Sequence, residues 1–246
     1  MLDILRRFGW TAYDHLGGLV ATNLLWTLLS LPWLALGYAL VILGGQWGSW
    51  AALGGLLLAV QLVLLAPPSL VLFAAAWAWA HGRDIGWRHL LVQVRRHGLR
   101  AQGLGLILVG ASALLVVNMA FYQSLGGMWG LALGGTMFWF QVALWMVGIF
   151  LFPVLLTQEE GVWGTLRQSF VIMIDNIRMS LGLLLGTGIL LGLGAASGIG
   201  LFCGVLGAWA LLVSICLAAL VARYRGDEPD DEPPRSWREM LKPWEA

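Results

Sequence analysis

Ser197 lies in the run GAASG, a small-residue setting that resembles that of an intramembrane nucleophile. A serine attacks only when a base takes its proton. No histidine follows His97, so the chain offers Ser197 no intramembrane base. His89 and His97 stand eight apart and could share a helix face, but no third ligand follows at metal-ligand spacing. They read as an interfacial polar pair. Glu159 and Glu160 are adjacent, so on a helix they diverge by about 100° and cannot act as paired carboxylates. Cys203 and Cys216 fall thirteen apart on one expected span. A rise of about 1.5 Å per residue puts them about 20 Å apart, too far for a disulfide. They read as small buried thiols. There is no phosphate loop and no zinc motif. The sequence therefore gives no reason to expect an enzyme, a metal or a cofactor.

Two other sets of residues could carry function. Asn23, Gln61, Asn118 and Gln141 are polar side chains inside long apolar runs. Read functionally, they line a path for a neutral solute. Read structurally, they hydrogen-bond between helices, at about 1 kcal/mol or less per contact. The second set is Arg95, Arg96 and Arg167, which are candidates for docking a protein partner.

The elements that must position these residues are set by where charge is missing. Residues 15–82, 101–158 and 179–222 contain no Asp, Glu, Lys or Arg. A bilayer core takes about 20 apolar residues per helical span. Each blank therefore holds two spans joined by a short turn. The expected fold is all-α: a polytopic membrane protein of six transmembrane helices in three hairpins, with interfacial amphipathic helices on the cytoplasmic side. Residues 1–222 form one integral membrane domain. Residues 223–246 form a polar tail whose acidic run 227–234 is expected to be disordered.

Composition agrees. The chain is 59% hydrophobic and 11% charged, against about 25% charged for an average soluble domain. The net charge of +1 gives no footprint for nucleic acid. Lys and Arg number two before the first span, five in 81–100, two in 158–178 and five after the last span, with none in the opposite turns. The positive-inside rule then places both termini in the cytoplasm. The first apolar run is longer than a signal-peptide core of about 7–15 residues, so it reads as a retained span.

Three amphipathic segments precede the hairpins. In 2–13, Leu2, Leu5, Phe8 and Ala12 share a face. In 84–98, Trp87, Leu91, Val94 and Gly98 follow helical spacing, with Asp84 as the N-cap. In 162–178, Trp163, Leu166, Phe170, Met173, Ile174 and Ile177 form one apolar face. Pro32 and the pair Pro67–Pro68 should bend or break their spans. The spacings Gly182-x-x-x-Gly186 and Gly188-x-x-x-Gly192 suit close helix approach. Trp26, Trp139, Trp145 and Trp209 fall deep in spans and are expected in the core.

Several blocks resemble the YesL-like family of bacterial multi-pass membrane proteins. They are Asn23-Leu24-Leu25-Trp26 leading to Leu31-Pro32; Pro67-Pro68-Ser69 with Ala74-Ala75-Ala76 and His81-Gly82-Arg83; and Phe152-Pro153 ahead of Thr165-Leu166-Arg167-Gln168-Ser169-Phe170 and Asn176. The resemblance implies a bacterial plasma-membrane protein of unknown molecular function, often associated with carbohydrate uptake, and it carries over no catalytic residue. The expected role is a non-catalytic accessory or scaffold component with a membrane or cytoplasmic protein partner. The competing role is a passive or partner-energised transporter of a neutral solute such as a sugar.

Overall fold

The computed structural model describes residues 2–46, 49–157, 161–197 and 204–226. The described residues are helical with short connections: α1 (Leu2–Asp14), α2 (Leu16–Gln46), α3 (Ser49–Leu64), α4 (Ser69–Ala80), α5 (Trp87–Ser124), α6 (Gly127–Thr157), α7 (Val162–Asp175), α8 (Ile177–Ser197) and α9 (Val205–Arg225). Helices α2, α5, α6, α8 and α9 are each long and apolar enough to cross a membrane, and α3 with α4 makes a sixth crossing if the bent pair is one span. In hydrocarbon every backbone N–H and C=O must find a partner within the chain. Long runs of Leu, Ala, Val and Gly therefore have no stable choice but helix.

The two proline sites behave differently. Helix α2 does not end at Pro32, and α6 likewise continues through Pro153. A lone proline removes one donor at a cost of about 3 kcal/mol. Ending a helix in mid-membrane would strand several more groups, so the helix continues. At Pro67–Pro68 two successive donors are lost and the span breaks as expected. Its halves meet at 57°. Ser69 N–H to Ala66 O at 2.9 Å and Leu70 N–H to Pro67 O at 3.1 Å carry the chain across. A bend of 57° keeps α4 advancing in the direction of α3, so the pair reads as one crossing and not as a re-entrant loop.

Helix α4 is the centre of the molecule. Ser69 through Ala76 are all buried, and α4 packs against α2, α5, α6 and α9. Its end is fully accounted for. The last four carbonyls of a helix lack intrahelical donors. Here the Trp77 carbonyl accepts from His81 Nδ1 at 2.8 Å. The Ala78 carbonyl accepts from the backbone N–H groups of His81 and Arg83, and that of Trp79 from Gly82. The Ala80 carbonyl accepts from Arg7 Nη2 at 2.9 Å, from α1. Gly82, at φ +65, makes this closing turn possible.

Three expectations about faces need correction. In α1 it is Ile4, Phe8 and Ala12 that pack on the core, while Leu5 is exposed. The segment 84–98 is not a separate interfacial helix. Asp84 lies 3.8 Å from His15, the N-cap is Gly86, and α5 runs unbroken for 38 residues. That is about 57 Å at about 1.5 Å per residue, far beyond a hydrocarbon core of about 30 Å. No proline separates the basic turns from the apolar ones, so the interfacial pattern is the lower part of span three. Leu90 and His97 are buried there and Trp87 and Leu91 are exposed. In α7 the buried face is Thr165, Ser169, Ile172 and Met173, and Trp163, Phe170 and Ile174 turn outward, as does Ile177 at the start of α8.

The α5–α6 turn closes on Gly126 and Gly127, at φ +67 and +66. The first turn of α9 rests on α2: a Cβ at Gly207 would meet Leu19 Cδ2 at 3.1 Å and Leu19 O at 3.3 Å. Cys203 and the acidic run 227–234 lie outside the described residues.

Candidate functional site

Three polar residues of the spans meet where α3, α5 and α6 come together. Gln141 Nε2 donates to Ser112 Oγ at 2.6 Å and to Gln61 Oε1 at 3.4 Å. Gln61 is 4% exposed, Gln141 5% and Ser112 0%. Gln61 and Gln141 were expected to be candidates. Ser112 was not, although its position was legible in the hairpin arithmetic. It stands as far before Gly126 as Gln141 stands after Gly127, so an antiparallel pair closed at those glycines puts the two side by side.

The other two candidates of the polar path stand apart. Asn118 turns back on its own helix, donating to the Leu114 carbonyl at 2.8 Å. Asn23 is fully buried on α2, one turn before Trp26. Trp26 Nε1 donates to Ser69 Oγ at 2.9 Å, tying α2 to the first turn of α4. A second tryptophan bonds across helices, from Trp209 Nε1 to Thr187 Oγ1 at 3.0 Å, and Thr187 in turn donates to the Leu183 carbonyl. Trp26 and Trp209 thus sit in the core as expected, but Trp139 is 68% exposed and faces outward.

A cavity of about 30 Å³ lies beside Gln61, walled by Leu64, Leu65, Trp145, Ile149, Leu184, Thr187 and Trp209. Ligand pockets usually measure about 300–1,000 Å³. This one is an order of magnitude too small for a sugar. The glutamine pair links α3, α5 and α6 at this point. Among the described residues Gly188 and Gly192 have no neighbour within 4 Å of a built Cβ, so that spacing serves no close approach there; Gly186 meets Leu212 only at 3.9 Å.

The second candidate set lies at the charged end. Arg95 and Arg96 are exposed on α5 and Arg167 is exposed on α7. The two helices approach where Gly103 faces Val162. Leu91, Val92 and Leu99 are exposed among the arginines of α5. His97 is buried, while His89 is exposed with Gln93 Nε2 at 3.3 Å, so these histidines do not converge. Among the described residues no group of three potential ligands could hold a metal ion. Ser197 Oγ donates to the Gly194 carbonyl at 3.0 Å, as a residue near a helix end does.

No family model matches the chain, nor does any curated protein or solved structure.

Proposed function

We propose that this multi-pass membrane protein is a non-catalytic accessory component that docks a protein partner on its basic end. The observation that carries this reading is the lower part of α5. Some 20 Å of helix, from Trp87 to Arg100, exceeds what a membrane of about 30 Å needs. It is exposed, and it mixes Arg88, Arg95 and Arg96 with Leu91, Val92 and Leu99. Aromatic and arginine-rich surfaces with apolar side chains between them suit protein contacts. The reading takes the basic end as cytoplasmic, with both termini on that face, in a bacterial plasma membrane. Membership of the YesL-like family and a link to carbohydrate uptake belong to the same proposal and rest on the sequence blocks alone. The solute-carrier alternative would need more room than the hollow beside Gln61 offers.

The test is in-cell crosslinking followed by capture in mild detergent, comparing the natural chain with an Arg95→Gln, Arg96→Gln, Arg167→Gln variant. Loss of a specific crosslinked species at unchanged melting temperature supports docking. An identical set of species from both chains refutes it.

A further inference from the structure

We propose that the base of the α8–α9 hairpin is the docking place of the chain's own acidic run, 227–232, which there competes with the protein partner for Arg167. The competition rests on the accessory reading above; the contact itself does not. The two ends of the hairpin are pinned together by Asn176 Nδ2, which donates to Tyr224 Oη at 2.6 Å. Arg178 follows Asn176 by two residues, and Arg223 and Arg225 flank Tyr224. All three arginines are exposed, as is Arg167 on α7. Asp175 is the one carboxylate of α7, α8 and α9. Among the described residues none of these four arginines has an ion-pair partner. Four exposed cations against one anion leave a positive surface without a counter-charge.

The same chain supplies the opposite charge at this place. Gly226, at φ +72, closes α9, and its N–H donates to the Arg223 carbonyl at 3.3 Å. The left-handed turn takes the chain off the helix axis at the hairpin base. The next six residues are Asp227, Glu228, Pro229, Asp230, Asp231 and Glu232, five of them carboxylates. Five extended residues reach about 17 Å at about 3.3 Å each. Arg167 lies eight residues before Asp175, about 12 Å along α7. The run can therefore pass Arg178 near its start and meet Arg167 near its end. Arg95 lies further off, beyond the point where Val162 meets Gly103 and about 12 Å more along α5. The run thus covers Arg167 first and leaves Arg95 to the partner. Exposed ion pairs are individually weak and screened by salt. A tether this short raises the effective concentration to about millimolar, and five carboxylates act together.

Photo-crosslinking of the purified full chain in lipid bilayers tests the contact with no partner present. A benzophenone side chain in place of Pro229 should insert mainly into α7 and the first turn of α8. Changing the five carboxylates of the run to Asn and Gln should lower that yield several-fold. So should Arg167→Gln with Arg178→Gln, and so should about 1 M salt, where the screening length is about 3 Å. Reversing both sides, with Lys at the five acidic positions and Arg167→Glu with Arg178→Glu, should restore the yield, which separates lost contact from lost fold. An unchanged yield after neutralisation overturns the proposal, because the tether alone would then explain the proximity. Insertion into lipid only overturns it too. In the in-cell assay above, neutralising the run should raise the partner species several-fold. An unchanged species, with the contact present in bilayers, overturns the competition. A contact in bilayers with no partner species from any chain refutes the accessory reading and leaves the contact established.

Discussion

Replacing Gly105 by alanine should destabilise the protein although it adds a single methyl group to a helix. The Cβ would stand 2.7 Å from the backbone oxygen of Leu65, closer than real contacts of this kind come. Leu65 lies at the break between α3 and α4, and its carbonyl is main chain, which cannot rotate away as a side-chain tip can. Either α5 moves off by about half an ångström or the break distorts. Overpacking of this kind costs about 1–3 kcal/mol. Against it, alanine in place of glycine favours a helix by about 1 kcal/mol. The net expectation is a loss of about 1–2 kcal/mol. Gly110, on the same helix, has nothing within 4 Å of its built Cβ, so Gly110→Ala should be neutral or gain up to about 1 kcal/mol. The two variants should therefore differ by about 2 kcal/mol in reversible unfolding of purified protein in mixed detergent and SDS micelles. Equal stability of the two would show that α5 does not press on the break, and the account of Gly105 would fail.

Arg7→Ala removes the donor to the Ala80 carbonyl and should cost about 1 kcal/mol, since a partly exposed charged hydrogen bond at a helix end is worth about that; Arg7→Lys should recover part of it in the same unfolding assay. Gln141→Leu removes the donor to both Ser112 and Gln61. Inter-helix bonds in membranes average about 0.6 kcal/mol, so a loss near 1 kcal/mol is expected, and a loss above about 3 kcal/mol would mean that the glutamine pair does more than link helices.

The spans were legible because a bilayer penalises charge wherever it occurs along the sequence. The faces were not. In water, the apolar side of a helix is the packed side. In lipid, both sides are apolar, so Trp139 pointing outward and Trp209 pointing inward look alike in sequence. The same blindness applies to α7, whose bundle-facing residues include Thr165 and Ser169 while Trp163 and Phe170 turn outward. The continuity of α5 was missed for another reason. Arginine and glycine marked 84–100 as a distinct segment, but arginine is a good helix former and no proline intervenes. Gln61 and Gln141 were legible as polar exceptions. Their closure on Ser112 needed hairpin register, which composition does not carry.

Charge and packing give opposite orientations for the last hairpin. With every cationic end on one face, Leu19 belongs near that face and the start of α9 near the other, about a hydrocarbon thickness of 30 Å apart. Instead Gly204 and Gly207 rest against Leu19. Turning the hairpin over would require α7 to carry the chain across the membrane. Its 14 residues reach about 21 Å at about 1.5 Å each, too short for a core of about 30 Å. Arg167 and Asp175 would each cost about 2.5–3.5 kcal/mol at the centre. The five Lys and Arg after residue 222 would also have to cross. These penalties stand against the packing of α9 on α1, α2 and α4. A cysteine at Arg225 should therefore react with an impermeant thiol reagent only from the face where Arg95 lies, and not from the face of Gly126. Gly207→Leu, which would strike the Leu19 carbonyl where α9 rests on α2, separates the two: tolerance goes with the charge-based orientation and loss of stability with the packed one. Labelling of Arg225→Cys from the Gly126 face, together with loss of stability in Gly207→Leu, would overturn the charge-based orientation and place the C-terminal end of α9 across the membrane from α1.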